Sequence, residues 1–131
     1  MHQSLLITGG DDQVITVSLV TIQMPNDTSS ISEAGPCKVE MLHQVYGHSS
    51  AVRGLWFDGT HAFSVGLDRR VICWKLTDDD LLEETVGVCE IPEPRGLDAI
   101  PTKDGDYLIA ISGRGTQVLG YASNALPMLQ T

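Results

Sequence analysis

The strongest structural signal in the chain lies in residues 47–76, which read GHSSAVRGLWFDGTHAFSVGLDRRVICWKL. This stretch contains three short apolar runs, at residues 51–57, 61–65 and 71–76. The first two runs are separated by Asp58-Gly59, and the last two by residues 67–69. Short apolar runs divided by turn-forming residues are typical of antiparallel strands joined in hairpins. The stretch therefore predicts three consecutive strands of one sheet.

The same pattern recurs elsewhere in the chain. Residues 7–19, ITGGDDQVITVSL, align with residues 63–75, FSVGLDRRVICWK, so that a Thr or Ser, a Gly and an Asp recur at matching places. A weaker third copy covers residues 107–121, with Gly113-Arg114-Gly115 in its turn. Repetition of one strand–turn–strand unit indicates stacked units that bury a shared core.

The middle copy resembles the blade of a WD-repeat β-propeller, whose signature opens with Gly-His and closes with Trp-Asp. Gly47-His48 opens the unit here and Trp74-Lys75 closes it, so a lysine replaces the final acid. The resemblance implies an all-β fold of about two and a half four-stranded antiparallel blades. Because a propeller needs ~4–8 blades to close, we expect the remaining blades on a longer chain.

The repeats predict how the chain is organised. Residues 1–46 form a partial blade with a long loop at 24–37, and residues 47–91 form a complete WD-repeat blade. Residues 92–122 form a C-terminal partial blade, and residues 123–131 a flexible tail. In the complete blade, we expect strands near residues 52–57, 62–65, 71–76 and 84–91.

The resemblance also implies a hydrogen-bonded tetrad of structural residues in the complete blade. By motif position its members are His48, Ser64, Asp68 and Trp74. Asp68 would accept a hydrogen bond from His48, and Ser64 would bridge His48 to the indole N–H of Trp74. Such a network satisfies several buried polar groups at once.

A narrower resemblance concerns function. The segments GGDDQVITVSLV at residues 9–20, SVGLDRRVICWKL at residues 64–76, Pro92-Glu93-Pro94 and GRGTQVLGY at residues 113–121 are similar to the last blades of the WD repeat-containing protein 6 family. That family partners a methyltransferase that modifies the ribose 2′-hydroxyl of the wobble nucleotide in tRNA anticodon loops. The resemblance implies a non-catalytic scaffold whose partner is the catalytic subunit. The alternative is a general protein-interaction propeller, such as a trafficking or ubiquitin-ligase scaffold.

Composition limits the classes of partner. The chain has 131 residues with 8 basic and 17 acidic side chains, for a net charge of −9. This charge opposes direct binding of nucleic acid or anionic membranes, because both need Lys and Arg. We therefore expect tRNA contact only through the full-length protein, and no membrane association. The N-terminus has no signal-peptide pattern, and the three cysteines are odd in number and widely spaced. Both observations favour the reducing cytoplasm.

Several residue patterns suggest a catalytic, phosphate-binding or metal site but lack other residues that such a site requires. His48, Ser64 and Asp68 are the residue types of a hydrolase triad, but the tetrad already accounts for them. Gly113-Arg114-Gly115 lacks the third glycine and the helix of a phosphate-binding loop, and the acidic run at residues 78–84 lacks calcium-loop spacing. The cysteines form no C-x-x-C pair. We predict no catalytic residue, no cofactor and no metal site.

One basic cluster interrupts the acidic background. It comprises Arg53, Arg69 and Arg70, and the last two lie in the predicted turn of the complete blade. These arginines either keep the turn soluble or contact a partner, through RNA phosphate or an acidic patch on a protein. We treat them as candidate partner contacts.

Overall fold

The computed structural model describes residues 2–23, 37–103 and 105–122, together with the backbone of residues 129–130. These residues form eleven β-strands in three antiparallel sheets, and no helix occurs among them. Consequently, the described part of the chain has no long apolar helix able to cross a membrane. The predicted all-β class with antiparallel blade-like sheets is confirmed.

The first sheet has the strand order β1-β2-β3 and comprises β1 (His2–Gly9), β2 (Val14–Ile22) and β3 (Cys37–Tyr46). The turn between β1 and β2 is closed by Asp12, whose Oδ1 accepts a hydrogen bond from the backbone amide of Val14 at 3.2 Å. Such a bond two residues onward is a common way for an Asp to hold a turn. The loop predicted at residues 24–37 falls outside the described residues except at position 37, which already belongs to β3.

The second sheet has the order β4-β5-β6-β7 and comprises β4 (Val52–Phe57), β5 (His61–Gly66), β6 (Arg70–Leu76) and β7 (Leu81–Val88). The last strand begins at Leu81 and not near residue 84 as the sequence predicts. Leu81 is 3% exposed and packs into the core. Because Leu81 is buried, the acidic residues that follow it are part of the edge strand β7. The strand also ends earlier than the predicted residue 91.

The third sheet has the order β11-β10-β9-β8 and comprises β8 (Gly96–Pro101), β9 (Tyr107–Gly113), β10 (Gly115–Tyr121) and β11 (Leu129–Gln130). β11 pairs with Leu119 and Gly120 of β10. Within the tail predicted at residues 123–131, residues 129–130 form β11, while 123–128 and 131 lie outside the described residues. The free edge of β10 offers backbone amides and carbonyls to any strand that reaches it, which accounts for the pairing.

The second sheet lies between the other two and is covered on both faces. Ala62, Ile72 and Trp74 pack with the first sheet, whereas Phe63 and Val65 pack with the third. A sheet buried on both faces shows continuous apolar runs and not a strict alternation of apolar and polar residues. This explains why VICW in β6 contains no exposed position. The three described sheets form an open arc in which the middle sheet contacts both neighbours.

Candidate functional site

Four side chains of the second sheet and its preceding loop form one hydrogen-bonded chain. His48 Nδ1 lies 3.0 Å from Asp68 Oδ1 and 3.1 Å from Oδ2. His48 Nε2 lies 2.7 Å from Ser64 Oγ, and the indole Nε1 of Trp74 donates to the same oxygen at 2.8 Å. The structure thus brings together all four residues of the predicted tetrad.

A single arrangement of protons satisfies this network. His48 carries a proton on Nδ1, and this N–H donates a hydrogen bond to the Asp68 carboxylate. Nε2 of His48 then accepts a hydrogen bond from the Ser64 hydroxyl, and the Ser64 oxygen accepts one from the Trp74 indole N–H. We assign this tautomer from the partners of each ring nitrogen. Among the described residues, no buried side-chain polar atom lacks a hydrogen-bond partner.

Asp68 also organises the backbone around it. Its carboxylate accepts the amides of Ser49 at 2.9 Å and of Arg70 at 3.1 Å. Burial acts to raise the pKa of Asp68, but the hydrogen bonds from His48 and from these two amides outweigh it, so the net pKa lies below the usual value. Asp68 is therefore an ionised anchor that joins the turn before β6 to the loop before β4.

Two glycines are required by the close approach of the tetrad. A Cβ at Gly47 would lie 2.2 Å from Cζ2 of Trp74, and a Cβ at Gly66 would lie 2.7 Å from both Asp68 Oδ1 and His48 Nδ1. Atoms this close cannot be accommodated without displacing the ring or the carboxylate. The glycine of the Gly-His pair is thus required by the packing of the indole ring.

The tetrad has the connectivity of a hydrolase triad but not its accessibility. Asp68, His48 and Ser64 are joined in the order that activates a serine nucleophile. However, Ser64 is 0% exposed and His48 is 4% exposed. The Ser64 oxygen is also occupied by the Trp74 indole at 2.8 Å. In this arrangement the hydroxyl has no access to a substrate carbonyl.

The buried cysteines are equally poor nucleophiles. Burial raises the pKa of the Cys73 thiol to about 12, and burial also raises the pKa of Cys89. A thiol attacks as its thiolate, so both side chains act as small apolar residues at neutral pH. The described residues contain no cluster of three or more His, Cys, Asp or Glu side chains placed to hold a metal ion.

The three arginines named from the sequence differ in the contacts that their side chains make. Arg69 has a positive φ of 64°, and its guanidinium donates to the carbonyls of Cys89 at 3.0 Å and Glu90 at 2.7 Å. Arg70 donates to the carbonyl of Gly47 at 3.1 Å and pairs with Glu83 at 3.2 Å. Both side chains therefore hold segments of the second sheet together.

Arg53 is different. It is the extra residue of a β-bulge at the start of β4, and bulges redirect side chains out of the pleat. Its side chain is 44% exposed, and the nearest carboxylate oxygen, on Asp11, is 3.8 Å away. Of the three, Arg53 is the side chain best placed to contact a partner.

An open cleft that was not predicted from the sequence lies beside Arg53. The cleft has a volume of about 640 Å³ and lies between the second and third sheets. Its lining consists of Val52, Arg53, Leu67, Glu93, Pro94 and Arg95. The Pro-Glu-Pro-Arg run at residues 92–95 was a usable signal, because two prolines in four residues predict a rigid loop.

Two tyrosines of the third sheet bond to acids of the second sheet. Tyr107 donates its hydroxyl to Asp58 at 2.8 Å, and Tyr121 donates to Glu84 at 2.9 Å. Burial, followed by the hydrogen bond to Asp58, raises the pKa of Tyr107 to about 12. Burial and the bond to Glu84 raise the pKa of Tyr121 in the same direction. These polar links join neighbouring sheets and were also missed, since nothing local in the sequence pairs them.

Two solved structures resemble this chain. One is described as the RRP9 WD40 repeats, with a TM-score of 0.59 and 20% identity over 96% of this chain. The other is described as U3-55K, with a TM-score of 0.60 and 20% identity, again over 96% of this chain. The matched part is 32% and 33% of those chains, so this chain spans about a third of their length. No protein-family model matches the sequence, and no curated protein matches it.

At this level of identity the likeness concerns the fold alone. Both neighbours are WD40 repeat proteins, and the structural match extends over 96% of this chain. The open arc of sheets matches consecutive blades and does not close a ring. The chain therefore has the fold of consecutive blades of a WD40 β-propeller.

Proposed function

We propose that this chain is a non-catalytic WD-repeat scaffold that binds other proteins. The observation that carries the proposal is the burial of the tetrad. The serine, histidine and aspartate that resemble a hydrolase site are hydrogen-bonded to one another within one blade, and Ser64 is 0% exposed. What remains on the surface is a set of turns and an open cleft, which suits recognition of a partner.

The finer proposal is that the full-length protein regulates a tRNA 2′-O-ribose methyltransferase that acts on the anticodon wobble nucleotide, in the cytoplasm. Its support is the resemblance of residues 9–20, 64–76 and 113–121 to the WD repeat-containing protein 6 family. In this proposal the catalytic subunit is the direct partner. With a net charge of −9, this segment leaves tRNA binding to other parts of the full-length protein.

A general interaction scaffold, in trafficking or in a ubiquitin ligase, is supported equally well. The two similar structures share the fold at 20% identity, and a propeller fold serves many unrelated functions. The two proposals differ in the partner they require and in whether tRNA is recovered with it.

Affinity purification of the full-length protein from cytosolic extract separates them. The methyltransferase proposal predicts recovery of a methyltransferase and tRNA, with loss of wobble 2′-O-methylation when the protein is depleted. Recovery of trafficking or ubiquitin-ligase subunits without either would support the general scaffold and contradict the finer proposal. Failure to recover any stoichiometric protein partner would contradict both.

The non-catalytic part of the proposal has its own test. The purified chain and its Ser64→Ala variant are compared for hydrolysis of an activated ester, such as p-nitrophenyl acetate. We expect the two to be indistinguishable, because the hydroxyl is buried and bound. Turnover by the wild-type chain that disappears in the variant would contradict a purely structural tetrad.

A further inference from the structure

The arginines and the lysines of the chain lie at opposite ends of the β-strands. We define the arginine end as the end at which β4 and β8 begin. Pairing of Val52 with Gly66 and of Gly96 with Ser112 brings the β5–β6 and β9–β10 turns to this same end. Every arginine of the chain lies in these starts, turns and adjoining loops: Arg53, Arg69, Arg70, Arg95 and Arg114.

The lysines lie elsewhere. Lys75 is near the end of β6 and pairs with His61, at the far end of the second sheet. Lys38 pairs with Thr21 near the far end of β2, and Lys103 follows the end of β8. The chain has three lysines in all, so none belongs to the arginine end. Lys75 is exposed and provides a matched control for variants of that end.

Charge is also divided unequally. Among the residues that the structure describes, five acidic residues accompany the five arginines at the arginine end: Asp11, Asp12, Asp68, Glu90 and Glu93. The arginine end is therefore balanced, and the rest of the chain carries the whole net charge of −9. The Asp68 carboxylate is already bound by His48. An acidic ligand is consequently repelled by most of the surface and least by this end.

The cleft at the arginine end combines arginines with apolar side chains. Leu67 is 40% exposed and supplies its accessible apolar side chain, Val52 and Pro94 form its buried floor, and Arg53 and Arg95 supply its charge. The side chains of Arg53 and Arg95 are 44% and 76% exposed, and their nearest carboxylates are 3.8 Å and 3.9 Å away. These distances exceed those of charge-assisted hydrogen bonds, so both guanidinium groups retain donors for a ligand.

We propose that this cleft binds an extended segment of a partner protein in which acidic and apolar residues alternate. The acidic side chains pair with Arg53 and Arg95, and an apolar side chain lies against Leu67. The proposal deepens the scaffold function and rests on it, since it names the chemistry of the partner. Glu93 already neutralises part of the positive charge at the cleft, because its carboxylate lies 3.2 Å from Nε of Arg114 and 3.9 Å from Arg95.

The lining favours a peptide over RNA. Within the described part of the chain, the lining of this cleft includes no aromatic ring on which a base could stack. The Glu93 carboxylate opposes a phosphate and an acidic side chain alike. The RNA backbone, however, has no apolar group to place against Leu67. An acidic peptide instead gains both ion pairs and apolar contact.

Fluorescence anisotropy of the full chain with labelled probes tests the proposal. The probe is a short peptide of alternating aspartate and leucine, compared with the same peptide carrying lysine for aspartate and with a single-stranded RNA of similar length. We expect the acidic peptide to bind and added salt to weaken it. Tighter binding of the RNA, equal binding of the two peptides, or no binding would overturn the proposal.

Variants locate the site. Arg53→Gln and Arg95→Gln should each weaken the acidic peptide about two- to fivefold, the range of an exposed ion pair. Lys75→Gln should leave the affinity unchanged. Glu93→Gln should strengthen it, a direction that misfolding cannot produce. An equal loss in Lys75→Gln, or no gain in Glu93→Gln, would contradict the assignment. The scaffold proposal survives such a result, because the affinity purification tests it separately.

Discussion

Asp68→Ala is the substitution that most severely tests the tetrad. Asp68 accepts hydrogen bonds from His48 and from the backbone amides of Ser49 and Arg70, and its side chain is 5% exposed. Removing the carboxylate leaves the His48 donor buried and unpaired, at a cost of about 1–3 kcal/mol. The two amides lie nearer to solvent and add roughly 1 kcal/mol together. We therefore expect the free energy of unfolding to fall by about 2–4 kcal/mol.

Urea unfolding followed by tryptophan fluorescence measures this change. The matched control is Asp79→Ala, which removes an exposed carboxylate and should change stability by less than about 0.5 kcal/mol. All variants are compared at one protein concentration, because self-association makes the midpoint depend on concentration. If Asp68→Ala unfolds at the same urea concentration as Asp79→Ala, the carboxylate does not anchor the blade and our account of the tetrad is wrong.

Other substitutions and conditions give independent checks. Trp74→Ala should cost about 3–5 kcal/mol of core packing, measured in the same urea assay. Since the folded-state pKa of Asp68 lies below its usual value of 3.8, its stabilisation is present above that pH and is lost as the pH falls further, so Asp68→Asn should flatten acid unfolding. Tyr121→Phe should cost roughly 1–2 kcal/mol through its bond to Glu84, measured by thermal melting. The isolated chain should self-associate in sedimentation, because Val39 and Ile100 are 61% and 57% exposed on its outer sheets; a monodisperse monomer would contradict this.

The strands of the middle blade were predictable because their signals are local. Turn residues such as Asp58-Gly59 and apolar runs such as 71–76 fix β4, β5 and β6 without knowledge of distant contacts. β7 was misplaced because its boundary depends on burial of Leu81 against the first sheet, which no local pattern reports. β11 has only two residues, and its pairing is determined by the available edge of β10.

The candidate site also has one part that the sequence predicts and another that it does not. His48, Ser64, Asp68 and Trp74 occur at motif spacing, so a repeat signature was enough to group them. In contrast, the Tyr107–Asp58 and Tyr121–Glu84 bonds join residues 49 and 37 positions apart on different sheets. The cleft likewise needs the packing of two blades before Arg53 and Arg95 face one space. Sequence reasoning had no means to bring these groups together.

Hydrogen exchange of the two indole N–H groups, followed by NMR, tests the central claim most directly. Trp74 is 3% exposed and bonded to Ser64, whereas Trp56 is only half-buried. We predict that the Trp74 indole proton exchanges far more slowly than that of Trp56, and that Ser64→Ala removes much of this protection. Equal exchange of the two indoles in the wild-type chain would contradict a buried structural tetrad at the centre of a WD40 blade.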